Sequence, residues 1–139
     1  MPNVASLLIT ASAAIVLVLG LLHLLYTFRG TKLQPRDAGA IEAMQRSELR
    51  ITRETTVWRA WIGFNASHSF GIILFALIYG YLALAAPGLL FGSLFLRIVG
   101  GALLLGYVIL ARRYWFSVPF RGVVLSTALY AAGLVVAAV

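Results

Sequence analysis

His23, Asn65 and His68 are the residues of this chain best equipped for chemistry, because each carries a donor or coordinating nitrogen inside an otherwise apolar stretch. His23 lies six residues before Arg29, and Asn65 and His68 lie six and nine after Arg59. On helices rising about 1.5 Å per residue, that places them roughly 9 to 14 Å inward from the basic ends. Tyr107 lies five residues before Arg112, and Ser126 and Thr127 lie five and six after Arg121, so these residues are expected in the same polar layer. Trp61, Asn65 and His68 follow at i, i+4 and i+7 and share one helical face. Three readings of the layer are open. Its members could hydrogen-bond between helices and fix their packing. They could line a pocket for a lipid, a quinone or another small ligand, with His23, Trp61, Asn65, His68, Tyr107, Ser126 and Thr127 as its walls. His23 and His68 could also serve as the two axial ligands of a haem.

Other chemistries are closed off by residue type. The chain has no cysteine, which removes disulfides, thiolate metal sites and a cysteine nucleophile. All four acids, Asp37, Glu42, Glu48 and Glu54, fall in one polar segment. Two histidines without an acid or thiolate at their depth make a poor metal set, and a serine–histidine–acid triad lacks its third member. Proton-coupled transport by this chain alone lacks an intramembrane carboxylate. No catalytic constellation is left, and an enzyme is not expected. Arg97 is the exception among charged residues, because it sits well inside an apolar stretch. Snorkelling, bonds to helix carbonyls, or a partnership with Tyr79 or Tyr81 would accommodate it. An external anion would do so equally, either a lipid phosphate or an acid of another subunit.

The elements that must position these residues follow from composition. The chain of 139 residues is 62% hydrophobic and 11% charged, with a mean hydropathy of +0.98. Soluble domains are nearer half apolar and about a quarter charged. Four apolar runs, about 4–28, 57–86, 89–111 and 120–139, are each near or above the ~20 residues needed to span a bilayer. A single integral membrane domain over 1–139 is therefore expected: an all-α transmembrane four-helix bundle. Trp58-Arg59-Ala60-Trp61 and Arg112-Arg113-Tyr114-Trp115-Phe116 read as interfacial anchors. Without Lys or Arg in Met1 to Ile9, the first run is expected to be retained as a helix and not cleaved as a signal peptide. Pro87-Gly88 reads as a turn. Pairs such as Gly88 and Gly92, Ser67 and Gly71, and Ala102 and Gly106 read as packing sites. Between the first two runs, Asp37 is expected to cap an amphipathic helix from Ala38 to Thr55. Glu42–Arg46 and Arg50–Glu54 would pair along it, with Ile41, Met44, Leu49 and Ile51 as a loose apolar stripe.

The formal net charge of +7 would point to nucleic acid in a soluble protein, but here its distribution excludes that partner. Seven of 11 Lys and Arg lie from Arg29 to Arg59, and three more are Arg112, Arg113 and Arg121. Four spans put both basic loops on one side, which the positive-inside rule makes cytoplasmic. The N- and C-termini are then expected outside a cell inner membrane, with segment 29–56 in the cytoplasm. Membrane lipid, other membrane subunits or further copies of the chain are the expected partners, and no bound cofactor is required.

The stretch Trp58-Arg-Ala-Trp-Ile-Gly-Phe-Asn-Ala-Ser-His-Ser69, with His23-Leu-Leu-Tyr-Thr-Phe-Arg-Gly30 before it and Tyr79-Gly-Tyr81 after it, resembles a family of small uncharacterised bacterial four-span membrane proteins. These stretches cover somewhat less than half the chain. The resemblance implies a membrane fold and a bacterial setting and carries no activity with it. The expected role is a small accessory or scaffold protein that packs against other membrane subunits or lipid. The alternative is a lipid-, quinone- or haem-handling protein built on His23, Asn65 and His68.

Overall fold

The structure, a computed structural model, describes residues 3–139. Its elements in chain order are α1 (Val4–Phe28), α2 (Ala38–Arg46), β1 (Glu48–Leu49), β2 (Thr52–Thr56), α3 (Val57–Ala85), α4 (Pro87–Gly92), α5 (Leu94–Tyr114) and α6 (Ser117–Ala138). Among the described residues α1, α3, α5 and α6 are long and apolar enough to cross a membrane. The shortest, α5 with 21 residues, reaches about 31 Å at ~1.5 Å per residue. The class is all-α, as the apolar runs require.

The chain forms two compact units: residues up to Leu19 together with Ile72–Val139, and Gly20–Gly71. In the first, segments of all four long helices surround a core of Ile9, Ala13 and Val16 from α1, Ile72, Phe75, Ala76, Tyr79, Leu82 and Ala83 from α3, Leu90, Leu104 and Tyr130. The α1 and α3 members recur at three- and four-residue spacing, so each helix turns one stripe inward. Size separates inside from outside more than polarity does. Ala5, Ser6, Ser12, Ala13, Ala76, Ala83, Ala111 and Ser126 are buried, while Leu7, Leu74, Phe95, Leu105 and Leu125 are exposed. Helices packed in lipid show this pattern, because small residues let backbones approach while an apolar exterior carries no penalty. Gly133 marks one such approach: a Cβ there would stand 2.9 Å from Ile9 Cδ1 and 3.1 Å from the Ala5 carbonyl. Gly88, Gly92 and Gly106 face open space, so the small pairs that include them do not serve as packing sites within the chain.

The second unit holds the end of α1, the polar segment and the start of α3. Gly30, at φ +77°, takes the left-handed conformation that terminates helices without Cβ strain and ends α1. Asp37 then caps α2, its Oδ1 accepting the Gly39 N–H at 2.9 Å, and Arg46 pairs with Glu42. The helix stops at Arg46, nine residues short of the expected Thr55. Residues 48–56 instead form an antiparallel hairpin, with Glu48 opposite Thr56 and Leu49 opposite Thr52. Ile51, Thr52, Thr55 and Thr56 are β-branched and lose side-chain freedom in a helix but fit a pleated strand. The Arg50–Glu54 pairing gives way to Arg53 reaching Glu48 at 3.9 Å. Ile51 leaves the apolar stripe for the hairpin tip, where it is 90% exposed. The Val57 N–H donates to the Ser47 carbonyl at 2.9 Å, which joins the hairpin base directly to α3.

The α3–α5 connection is also more structured than a Pro-Gly turn. Pro87 opens the short helix α4, where its missing N–H costs nothing. Ser93 ends α4 and caps α5, accepting the Leu96 N–H on its Oγ. The third long helix therefore starts at Leu94 rather than Leu89 and continues to Tyr114. The fourth starts at Ser117 with Pro119 in its first turn.

One local prediction follows from the α2 cap. Asp37→Ala is expected to speed amide hydrogen exchange at Gly39–Ile41 by roughly fivefold, since losing an N-cap costs about 1 kcal/mol. Exchange in α3 should be unchanged. Unaltered protection of α2 would show that the cap does not hold it.

Candidate functional site

In the unit Gly20–Gly71, α1 supplies His23 and α3 supplies Trp61, Asn65 and His68. His23 Nε2 and Asn65 Oδ1 are 2.9 Å apart, and Asn65 Nδ2 donates to the Trp61 carbonyl at 2.8 Å. The second bond fixes the amide orientation, since a carbonyl can only accept. Asn65 Oδ1 is thereby an acceptor, so His23 Nε2 carries the proton and donates. His68 meets His23 edge to face, with ring centroids 5.3 Å apart at 73°. Trp61 stacks on Trp58 at 5.4 Å. The hydroxyls nearby turn back along their own helices: Thr27 Oγ1 donates to the His23 carbonyl and Ser69 Oγ to the Asn65 carbonyl. His23, Trp61, Asn65 and His68 are thus brought together, and the asparagine amide is spent on linking α1 to α3.

This geometry does not offer the two histidines to a haem. Axial imidazoles face one another across a flat macrocycle, whereas these rings touch edge to face and His23 Nε2 is engaged by Asn65. Among the described residues no group of three or more His, Cys, Asp or Glu could hold a metal ion.

Tyr107, Ser126, Thr127 and Arg97 belong to the other unit. Ser126 Oγ donates to the Ser12 carbonyl at 3.0 Å and lies 2.8 Å from Ser12 Oγ. Its single proton is used on the carbonyl, so Ser12 is the donor between the hydroxyls. Both serines are buried, and the pair clasps α1 to α6. Thr127 Oγ1 donates to the Val123 carbonyl of its own helix. Tyr107 packs against Trp115, with ring centroids 5.9 Å apart.

Arg97 lies on the α5 face that carries the buried Gly100, Leu104 and Ala111. The partnership with Tyr79 or Tyr81 offered by the sequence takes a different form. Tyr79 Oη donates to the Leu96 carbonyl at 2.7 Å, and Tyr130 Oη donates to the Arg97 carbonyl at 3.0 Å, while Tyr81 is exposed. The main chain of Arg97 is held and its side chain is not: Arg97 Nε is buried without a hydrogen-bond partner. Tyr79 and Tyr130 meet edge to face with centroids 6.0 Å apart, above Gly100. Sequence reasoning missed Tyr130. The signal was there, since a phenol mid-way along an apolar span must find an acceptor for its proton.

The chain has no match among protein families, curated proteins or solved structures.

Proposed function

We propose that this chain is a multi-pass protein of the cell inner membrane acting as an accessory or scaffold subunit, associating with other membrane subunits, further copies of itself or lipid. The observation that carries the proposal is the uneven burial of the long helices. Over their most apolar windows α1 and α3 are each 39% buried, whereas α5 and α6 are 17% and 22% buried. All four helices therefore leave most of these windows unburied, α5 and α6 most of all. The polar groups offer little to a reaction: Asn65, Ser126 and Thr127 are engaged in bonds that hold or stiffen helices, which suits association better than catalysis. Basic loops in the cytoplasm and both termini outside belong to the same proposal, and the charge asymmetry supports them. A bacterial setting belongs to the same proposal, from the resemblance centred on Trp58 to Ser69.

Native mass spectrometry of the protein extracted from its own membrane in mild detergent tests this reading. Co-purifying subunits or additional copies, identical in wild type and His68→Ala, are the expected result. A haem, quinone or single defined lipid that is present in wild type and lost in a folded His68→Ala protein would overturn it in favour of ligand handling.

A further inference from the structure

We propose that the Arg97 guanidinium is the receptor for a phosphate-type oxyanion, presented either by the headgroup of an anionic phospholipid or by free phosphate. Arginine stays charged whatever its surroundings, and its planar fork of five donors matches a phosphate in two-point contact. A buried donor without an acceptor is costly, more so when charged. Yet Arg97 Nε is buried with none.

Nothing in its own unit neutralises it. The phenol protons of Tyr79 and Tyr130 are committed to the Leu96 and Arg97 carbonyls. Every Asp and Glu of the chain lies between Asp37 and Glu54, outside the unit that holds Arg97. The charge lies near a helix end. Arg97 is three residues past Leu94, the first residue of α5, about 5 Å along that helix. An arginine side chain can bridge much of that distance toward a headgroup. An intramembrane charge without an internal partner marks a binding site by default.

The surface around Arg97 favours a lipid-borne or free anion over an acid on a neighbouring helix. Leu94, Phe95 and Ile98 are large and 58–72% exposed. Close helix–helix contact in a membrane calls for small residues, whereas acyl chains conform to bulky ones. A second copy of the chain carries its Asp and Glu residues in the same Asp37–Glu54 segment and none on α5. The inference does not depend on associated subunits, and it is separable from ligand handling because it responds to Arg97 and not to His68.

The test reconstitutes the full chain in nanodiscs of equal parts phosphatidylcholine and phosphatidylglycerol and counts lipids retained on release into the mass spectrometer. Wild type is expected to retain phosphatidylglycerol preferentially. Arg97→Gln, which removes the half-buried charge and should fold at least as well, is expected to lose that preference by about tenfold or more, the equivalent of one charge-assisted hydrogen bond. Arg97→Lys should keep part of it. A second arm uses phosphatidylcholine alone with added inorganic phosphate. Phosphate retained by wild type and not by Arg97→Gln supports the site with a free anion as its source. Three results would overturn the proposal: no preference for phosphatidylglycerol or phosphate in wild type, an equal preference in Arg97→Gln, or a protein carboxylate cross-linked to Arg97 in place of lipid.

Discussion

Gly100→Ala is expected to lower the stability of the folded protein by about 1–3 kcal/mol, the cost of forcing an extra methyl into a packed interior. A Cβ at this position falls on Tyr130 Oη and comes within 2.5 Å of Tyr79 Cε1. Neither ring is free to swing away cheaply, because Tyr79 is bonded to the Leu96 carbonyl and Tyr130 to the Arg97 carbonyl. The rings also lean on each other. Accommodating one methyl group therefore breaks at least one hydrogen bond where no water replaces it. Gly106→Ala on the same helix is the control, since nothing lies within 4 Å of the place its added methyl would take and alanine is the better helix former. It should be neutral or slightly stabilising. Unfolding in mild detergent against added SDS, followed by tryptophan fluorescence, reads both variants. Equal midpoints for the two would mean that the tyrosine pair does not close over α5.

Asn65→Leu is expected to cost about 1–3 kcal/mol, the penalty for a buried donor left without an acceptor. The substitution keeps size and removes both amide bonds. The Trp61 carbonyl still has its helical partner, so its loss is small. The His23 Nε2 proton loses the acceptor held 2.9 Å away and has to be met by lipid or rearrangement. His23→Phe in the same background removes the stranded donor, so the double variant should recover most of the loss. This asymmetry, in which deleting one partner costs more than deleting both, separates a hydrogen bond from mere packing. A double-mutant cycle read by the same SDS titration should give a coupling of about 0.6–2 kcal/mol, the range for bonds between membrane helices. Strict additivity would place His23 and Asn65 apart and remove the link between α1 and α3.

How much of this was legible in the sequence depends on whether a feature is a local sum or a pairwise fit. Spacing alone put Trp61, Asn65 and His68 on one face, and the depth argument put His23 within reach of them. That the Asn65 amide would choose His23 depends on the rotation and axial offset of α1 against α3, which no single-helix pattern encodes. The hairpin at 48–56 was misjudged because two local signals competed. Charges four apart favour a helix by only about 0.2–0.5 kcal/mol per pair, and the β-branched Ile51, Thr52, Thr55 and Thr56 outweighed them. Ser93 interrupts the third apolar run with an extended residue, a break that summed hydropathy hides.

An all-α protein with four long apolar helices and a basic polar segment after the first was readable before any helix met another. Helix length and hydropathy are sums over neighbouring residues, and they survive any arrangement of the helices. Only the tertiary structure decided that Gly100 and Gly133, not Gly88, Gly92 or Gly106, are where backbones and rings come close. It alone showed that Tyr79 and Tyr130 clamp the main chain of α5 and that Arg97 Nε is buried without a partner. Where every surface is apolar, hydrophobicity no longer says which face turns inward. The inward face is then selected by shape and by hydrogen bonds between helices, and these exist only once the helices have met.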